Sequence, residues 1–144
     1  MNFRTITLAT AVGALLGLGG CVATRSNLTT SADRLDENTR ALAHAAGDLP
    51  AGADYPASYP RDARQLAEDA HYFRSATEDR SATDADVKAA FKRVSQSYLL
   101  VRDEVEHSDS REARDDLKPV TTAYLDVERE IGGYPVHHAS AYGD

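Results

Sequence analysis

The sequence contains two Glu-x-x-His motifs, whose spacing resembles that of metal ligands on a helix: Glu68 with His71, and Glu104 with His107. Two such motifs on facing helices can hold a pair of metal ions when further carboxylates join them. Helical phase argues against that arrangement, because at about 100° per residue all four side chains are rotated away from the apolar stripes of their segments. We expect them on solvent-exposed faces or at the flanks, and the sequence predicts no metal site.

The other reactive side chains form no catalytic pattern. Cys21 is the only cysteine, which excludes a disulfide framework and a Cys-based zinc site. No serine or threonine stands in a Gly-flanked nucleophile elbow, and no Gly-rich phosphate loop precedes a helix. His137 and His138 are adjacent in the C-terminal segment. We expect no role for them, and the alternative is that they bind a transition metal weakly. The sequence predicts that the protein is not an enzyme.

Four tyrosines divide into two groups. Tyr55 and Tyr59 belong to a proline-rich connection, Pro50–Pro60, and are the candidate partner surface because tyrosine adds contact area at low entropy cost. The alternative is that both rings cover one end of the folded domain. Tyr98 and Tyr124 fall on apolar stripes, so we expect core rings whose hydroxyls reach the edge of the core.

Acidic residues are interleaved with arginines and predict solvated helix faces. The acidic runs are Asp33, Asp36 and Glu37; Glu78 and Asp79; Asp84 and Asp86; Asp103, Glu104 and Glu106; and Asp115 and Asp116.

The first twenty residues have the features of a secretory leader. Arg4 supplies a basic start, and an uncharged apolar run from Thr5 to Leu18 follows, about the length of a signal-peptide core and too short to span a bilayer comfortably. The run ends in Leu18-Gly19-Gly20-Cys21.

This tetrapeptide resembles the lipobox of bacterial lipoproteins. The resemblance implies a diacylglycerol thioether on Cys21, cleavage between Gly20 and Cys21, and acylation of the new N-terminus, and such acyl chains bind membrane lipid firmly. Val22 stands where an Asp would signal retention in the inner membrane, which implies the outer membrane, facing the periplasm. The alternative is an ordinary secretory leader in which Cys21 falls near the cleavage site by chance.

Four later segments carry helical apolar periodicity. We predict helices at about 27–46, 60–80, 84–107 and 110–131, after a lipidated tether at 21–26 and before a flexible tail at 132–144. Thr83 with Asp86, and Asp109 with Glu112, predict the starts of the third and fourth helices. The predicted inward positions are Leu28, Ala32, Leu35, Thr39, Leu42 and Ala46; Ala63, Leu66, Ala70, Phe73 and Thr77; Val87, Phe91, Val94, Tyr98, Val101 and Val105; and Ala113, Leu117, Val120, Tyr124, Val127 and Ile131.

These segments predict an all-α fold, an antiparallel up-down four-helix bundle. Pro119 lies inside the fourth segment on its outer face, so we expect a kink; the alternative is that the helix starts afresh near Lys118. The architecture is similar to that of periplasmic b-type cytochrome bundles, which hold haem through a Met in the first helix and a His in the last. Leu28–Leu35 contains no Met and Ser110–Ile131 no His, so the resemblance implies no haem and no other cofactor.

Length and charge complete the prediction. The 144 residues suit one domain, and loss of residues 1–20 removes Arg4 but no acid, so the formal charge changes from −7 to −8. An acidic body argues against nucleic acid as a partner. We predict a lipid-anchored, non-enzymatic protein that binds an envelope protein or tethers the envelope, in one version an inhibitor or immunity lipoprotein against a basic partner. The alternative is a metal- or haem-binding bundle.

Overall fold

A computed structural model describes residues 19–49 and 55–132, with side chains from Ser26 onward. It contains four helices: α1 Gly19–Gly47, α2 Tyr59–Glu78, α3 Asp84–His107 and α4 Arg111–Glu130. No strand occurs in these residues, so the predicted all-α four-helix bundle is confirmed. Leu18, the side chain of Cys21, and the predicted tail with His137 and His138 lie outside the described residues.

The helix boundaries show which local signals act. Thr83 caps α3 through a complete capping box, because its hydroxyl accepts from the Asp86 N–H at 3.2 Å while the Asp86 carboxylate accepts from the Thr83 N–H at 2.8 Å. The predicted start of α4 at Asp109 is wrong by one residue. Ser110 is the N-cap, and its hydroxyl accepts from the Ala113 N–H at 3.2 Å.

The start of α1 also differs from the prediction. We expected a tether at 21–26 and a helix from about 27, yet α1 begins at Gly19. The prediction began at the first stripe residue, Leu28, whereas the preceding residues include no proline that would stop a helix from extending toward the N-terminus. None of the helices among the described residues is both long enough and apolar enough to cross a membrane.

The apolar stripes form one core. All the predicted inward positions are buried except Leu28 and Ile131, which are partly buried against the core. Alanines recur among the buried residues of α1 and α2, where Ala32, Ala63 and Ala70 have no exposed surface. Alanine adds little bulk, so these positions allow α1 and α2 to pack closely.

Contacts between helices show an antiparallel arrangement. The Ser31 hydroxyl in the middle part of α1 donates to Glu130 at the end of α4, at 3.0 Å. Further along α1, Asn38 Nδ2 donates to the Pro119 carbonyl of α4 at 3.1 Å. α1 therefore packs between α2 and α4, while α3 packs against α2.

Of the helix pairs that pack together, α3 and α4 approach each other least closely, and aromatic rings lie between them. Tyr124 of α4 stacks on Tyr98 with ring centroids 4.2 Å apart and on Phe91 at 5.4 Å. Phe91 in turn lies 5.4 Å from Phe73 of α2. This aromatic cluster joins three helices through their side chains.

Pro119 does not break α4. The helix runs from Arg111 to Glu130 with Pro119 inside it and exposed, as its phase predicts. A fresh start near Lys118 is therefore not what the chain does. The proline ring lies on the outer face and does not disturb the core. Its cost in helix stability is therefore confined to the missing backbone hydrogen bond and the crowding of the preceding turn.

Candidate functional site

The candidate site lies at the end of the bundle where α1 and α3 end and α2 and α4 begin, opposite the start of α1. Tyr55 and Tyr59 stack here with ring centroids 5.3 Å apart. Tyr55 is half-buried, whereas Tyr59 is only 2% exposed. Tyr59 is thus part of the core and not of an exposed partner surface, which matches the alternative prediction that the tyrosines cover the end of the bundle.

Two hydrogen bonds fasten the connection before α2 to the opposite helices. The Tyr55 hydroxyl lies 2.6 Å from Ser110 Oγ, the N-cap of α4. The Ser58 hydroxyl donates to Glu104 Oε1 near the end of α3. Ser58 precedes α2 but its side chain makes no capping bond to that helix. We call Tyr55, Ser58, Tyr59, Glu104 and Ser110 the end clasp.

Carboxylates surround the end clasp. Burial is the main cause that raises the pKa of Glu104 above its ordinary value; the Ser58 hydrogen bond opposes the rise and the nearby Asp62 charge adds to it. Burial, with the charge of Asp116, also raises the pKa of the Tyr59 hydroxyl. By contrast, the hydrogen bond from Arg61, whose Nε lies 2.7 Å from Asp62 Oδ1, lowers the pKa of Asp62.

The two Glu-x-x-His motifs do not converge. Glu68, His71 and His107 are exposed, as phase predicts, but Glu104 is half-buried in the end clasp. His71 lies at the α1–α2 interface, with Nδ1 3.6 Å from Asp36 Oδ2, whereas Glu104 faces Ser58 at the α2–α3 interface. Within residues 26–49 and 55–132, no group of three or more metal-ligating side chains comes together.

Tyr98 and Tyr124 are core rings, as expected. Tyr98 donates from its hydroxyl to Thr121 Oγ1 at 3.1 Å, and Tyr124 donates to Ser95 Oγ at the same distance. Both rings are almost fully buried. Burial raises the pKa of the Tyr124 hydroxyl, so this group is a hydrogen-bonding element of the core and a poor proton donor to water.

Two buried carboxylates were missed. Asp36, predicted on a solvated face, is only 2% exposed, and it contacts Arg40 on its own helix and Arg74 of α2 at 3.4 Å. Asp69 is 4% exposed and pairs with Arg93 of α3 at 2.9 Å. Asp36 lies four residues after Ala32 of the apolar stripe. Its helical phase was therefore the one sequence signal that could have predicted its burial. Through these carboxylates, ion pairs link α2 to α1 and to α3.

Two shallow grooves open beside the end clasp. One, of about 540 Å³, lies between the end of α1 and the start of α4 and is lined by His44, Leu49 and Glu112 among others. The other, of about 440 Å³, follows the gap between α3 and α4 along Val105 and Leu117. Grooves of this kind offer side-chain contacts to a partner and do not enclose a small molecule.

Comparison of the chain with protein-family models, with curated proteins and with solved structures finds no match. A functional interpretation therefore depends on the residues and their geometry.

Proposed function

We propose that this protein is a lipid-anchored bundle of the bacterial envelope that acts by binding another envelope protein, without catalysis. The observation that carries the proposal is the Leu18-Gly19-Gly20-Cys21 sequence, whose cysteine is the only one in the chain and is the third residue of α1. Acylation of Cys21 would place the membrane at one end of the bundle.

The length of α1 determines how far the opposite end stands from that membrane. From Cys21 to Gly47 the helix rises about 40 Å, at about 1.5 Å per residue. The end clasp and the two grooves lie at this far end, where a partner in the periplasm would meet them first. The half-buried Tyr55 and the groove walls supply the mixed polar and apolar contacts that are usual in transient interfaces.

The negative charge of the chain favours a partner that carries positive charge. The formal charge of the chain after Gly20 is −8 because Arg4 is removed. Four acidic side chains are exposed beside the end clasp: Asp103 and Glu106 of α3, Asp109 of the α3–α4 turn, and Glu112 of α4. Such a surface steers a basic protein, and an inhibitor or immunity lipoprotein acting on a basic toxin or wall hydrolase is one version of this role. Capture should then weaken as salt rises.

In-cell cross-linking tests the proposal. A photo-reactive residue replaces Ala57, which is exposed beside the end clasp, and a matched control replaces Ala89, which is exposed on α3 nearer the other end. We expect one envelope protein to cross-link from position 57 but not from position 89, and to be lost when Cys21→Ala removes the anchor. Equal cross-linking from both positions, or none from either, would contradict binding at this end.

A further inference from the structure

The end clasp depends on a carboxylate that lacks a full set of partners. Glu104 Oε1 accepts from Ser58, but Oε2 is buried and, among the described residues, has no hydrogen-bond partner. An ionised carboxylate with one oxygen in this position loses hydration without compensation, whereas a protonated one carries a hydrogen that a neighbouring oxygen can accept. The protonated form of Glu104 is therefore favoured by its surroundings.

Charged and titratable groups face Glu104 from each neighbouring element. Asp62 of α2 lies close to it, itself held ionised by Arg61. Tyr59, whose environment includes Asp116 of α4, contributes an uncharged hydroxyl. On α3 itself, His107 follows three residues later and is paired with Asp103.

We infer that Asp62 and Glu104 form a proton-dependent latch on the end clasp. With one proton on Glu104, its carboxyl group holds Ser58 and the Tyr55–Tyr59 stack stays closed over the core. When that proton leaves, Ser58 still donates to Glu104, but two carboxylates then face each other beside the buried tyrosine and the buried Oε2 carries charge without a donor, so the closed form loses population. Opening would expose the Tyr59 ring, so the latch regulates the contact site and rests on the proposed function.

The direction of the pH effect follows from the raised pKa of Glu104. A group whose pKa is higher in the closed form binds its proton more tightly there, so the contribution to closure is present at low pH. That contribution is lost as the pH rises through the pKa of the closed form. The ratio of open to closed molecules should increase tenfold for each unit by which closure raises the pKa.

Hydrogen exchange of the full chain, purified in detergent, tests the latch without any partner. We expect the protection of the hydrogen-bonded amides of Tyr59, Arg61 and Asp62, corrected for intrinsic exchange, to fall as the pH rises through the titration of Glu104. Glu104→Gln, which stays neutral, should abolish this dependence. Asp109→Asn and His107→Asn should retain the pH dependence, because both leave Glu104 in place. The first variant removes an exposed charge from the same end of the bundle, and the second removes the nearest histidine.

Two results would overturn the latch: protection in the wild type that does not change with pH, or an unchanged pH dependence in Glu104→Gln. A carbon-13 titration of the Glu104 carboxyl in the wild type gives a second measurement that needs no variant. A Glu104 pKa at its ordinary value would also overturn the latch. Neither result requires a partner, so failure of the latch is distinguishable from failure of the cross-linking that tests binding.

Discussion

Replacement of Phe91 by alanine should cost more stability than most other single substitutions in the bundle. Phe91 is 1% exposed and its ring contacts both Phe73 and Tyr124 at centroid distances of 5.4 Å. α3 and α4 have the least direct approach of the packed helix pairs, so these rings supply much of what joins them. Removing the ring leaves a cavity shared by three helices.

The expected loss is about 3–5 kcal/mol, the usual range for a buried phenylalanine replaced by alanine. It includes about 0.5–1.5 kcal/mol for each of the two aromatic pairs beyond the burial of the ring. The free energy of unfolding of a domain of this size is about 5–15 kcal/mol in total, so the variant should be close to unfolding. Phe91→Leu, which keeps an apolar side chain, should lose less and remain measurable.

Urea unfolding followed by circular dichroism measures these changes as shifts of the midpoint at unchanged slope. Leu100→Ala is the control, since Leu100 lies on the same helix but is 60% exposed and should change stability by no more than about 0.5 kcal/mol. A loss below about 1.5 kcal/mol for Phe91→Ala, or equal losses for the two variants, would refute the role assigned to the aromatic cluster.

Three further substitutions test local features. Thr83→Ala removes the capping box of α3 and should lower the free energy of unfolding by about 1 kcal/mol in urea; an unchanged value would contradict the cap. The Thr83 hydroxyl and backbone N–H lower the pKa of Asp86, so the stability that Asp86 adds is present above its unfolded-state pKa and lost as the pH falls through its folded-state pKa. Asp86→Asn should therefore flatten the acid limb of the stability profile, and a profile identical to the wild type would count against it. Pro119→Ala should raise the free energy of unfolding, by up to about 3 kcal/mol, because it restores a helical N–H on an exposed face; a lower stability would show that the proline ring contributes contacts.

Apolar spacing was sufficient to predict the helical core. Val87, Phe91, Val94, Tyr98 and Val101 of α3 step by four and three residues, and every one of them is buried. Spacing works here because one helix face must leave water, and the phase of each residue determines whether it lies on that face. The capping signal at the start of α3 was equally local, since all its atoms belong to four consecutive residues.

Contacts between distant segments could not be predicted in the same way. The burial of Asp36 depends on Arg74 reaching it from α2, and the burial of Tyr59 depends on how the connection folds over the end of the bundle. The pairing of Ser58 with Glu104 joins residues that are 46 positions apart. Periodicity assigns a side chain to a face but carries no information about which partner lies opposite.

The intact mass of the protein purified from bacterial envelopes tests the lipid anchor most directly. For a lipid-anchored bundle we expect a chain that begins at Cys21 and carries the additional mass of three acyl chains and a glyceryl thioether, and a Cys21→Ala variant that carries none of them. An unmodified Cys21 thiol in the membrane-derived protein, or a chain that retains residues 1–20, would contradict a lipid-anchored bundle.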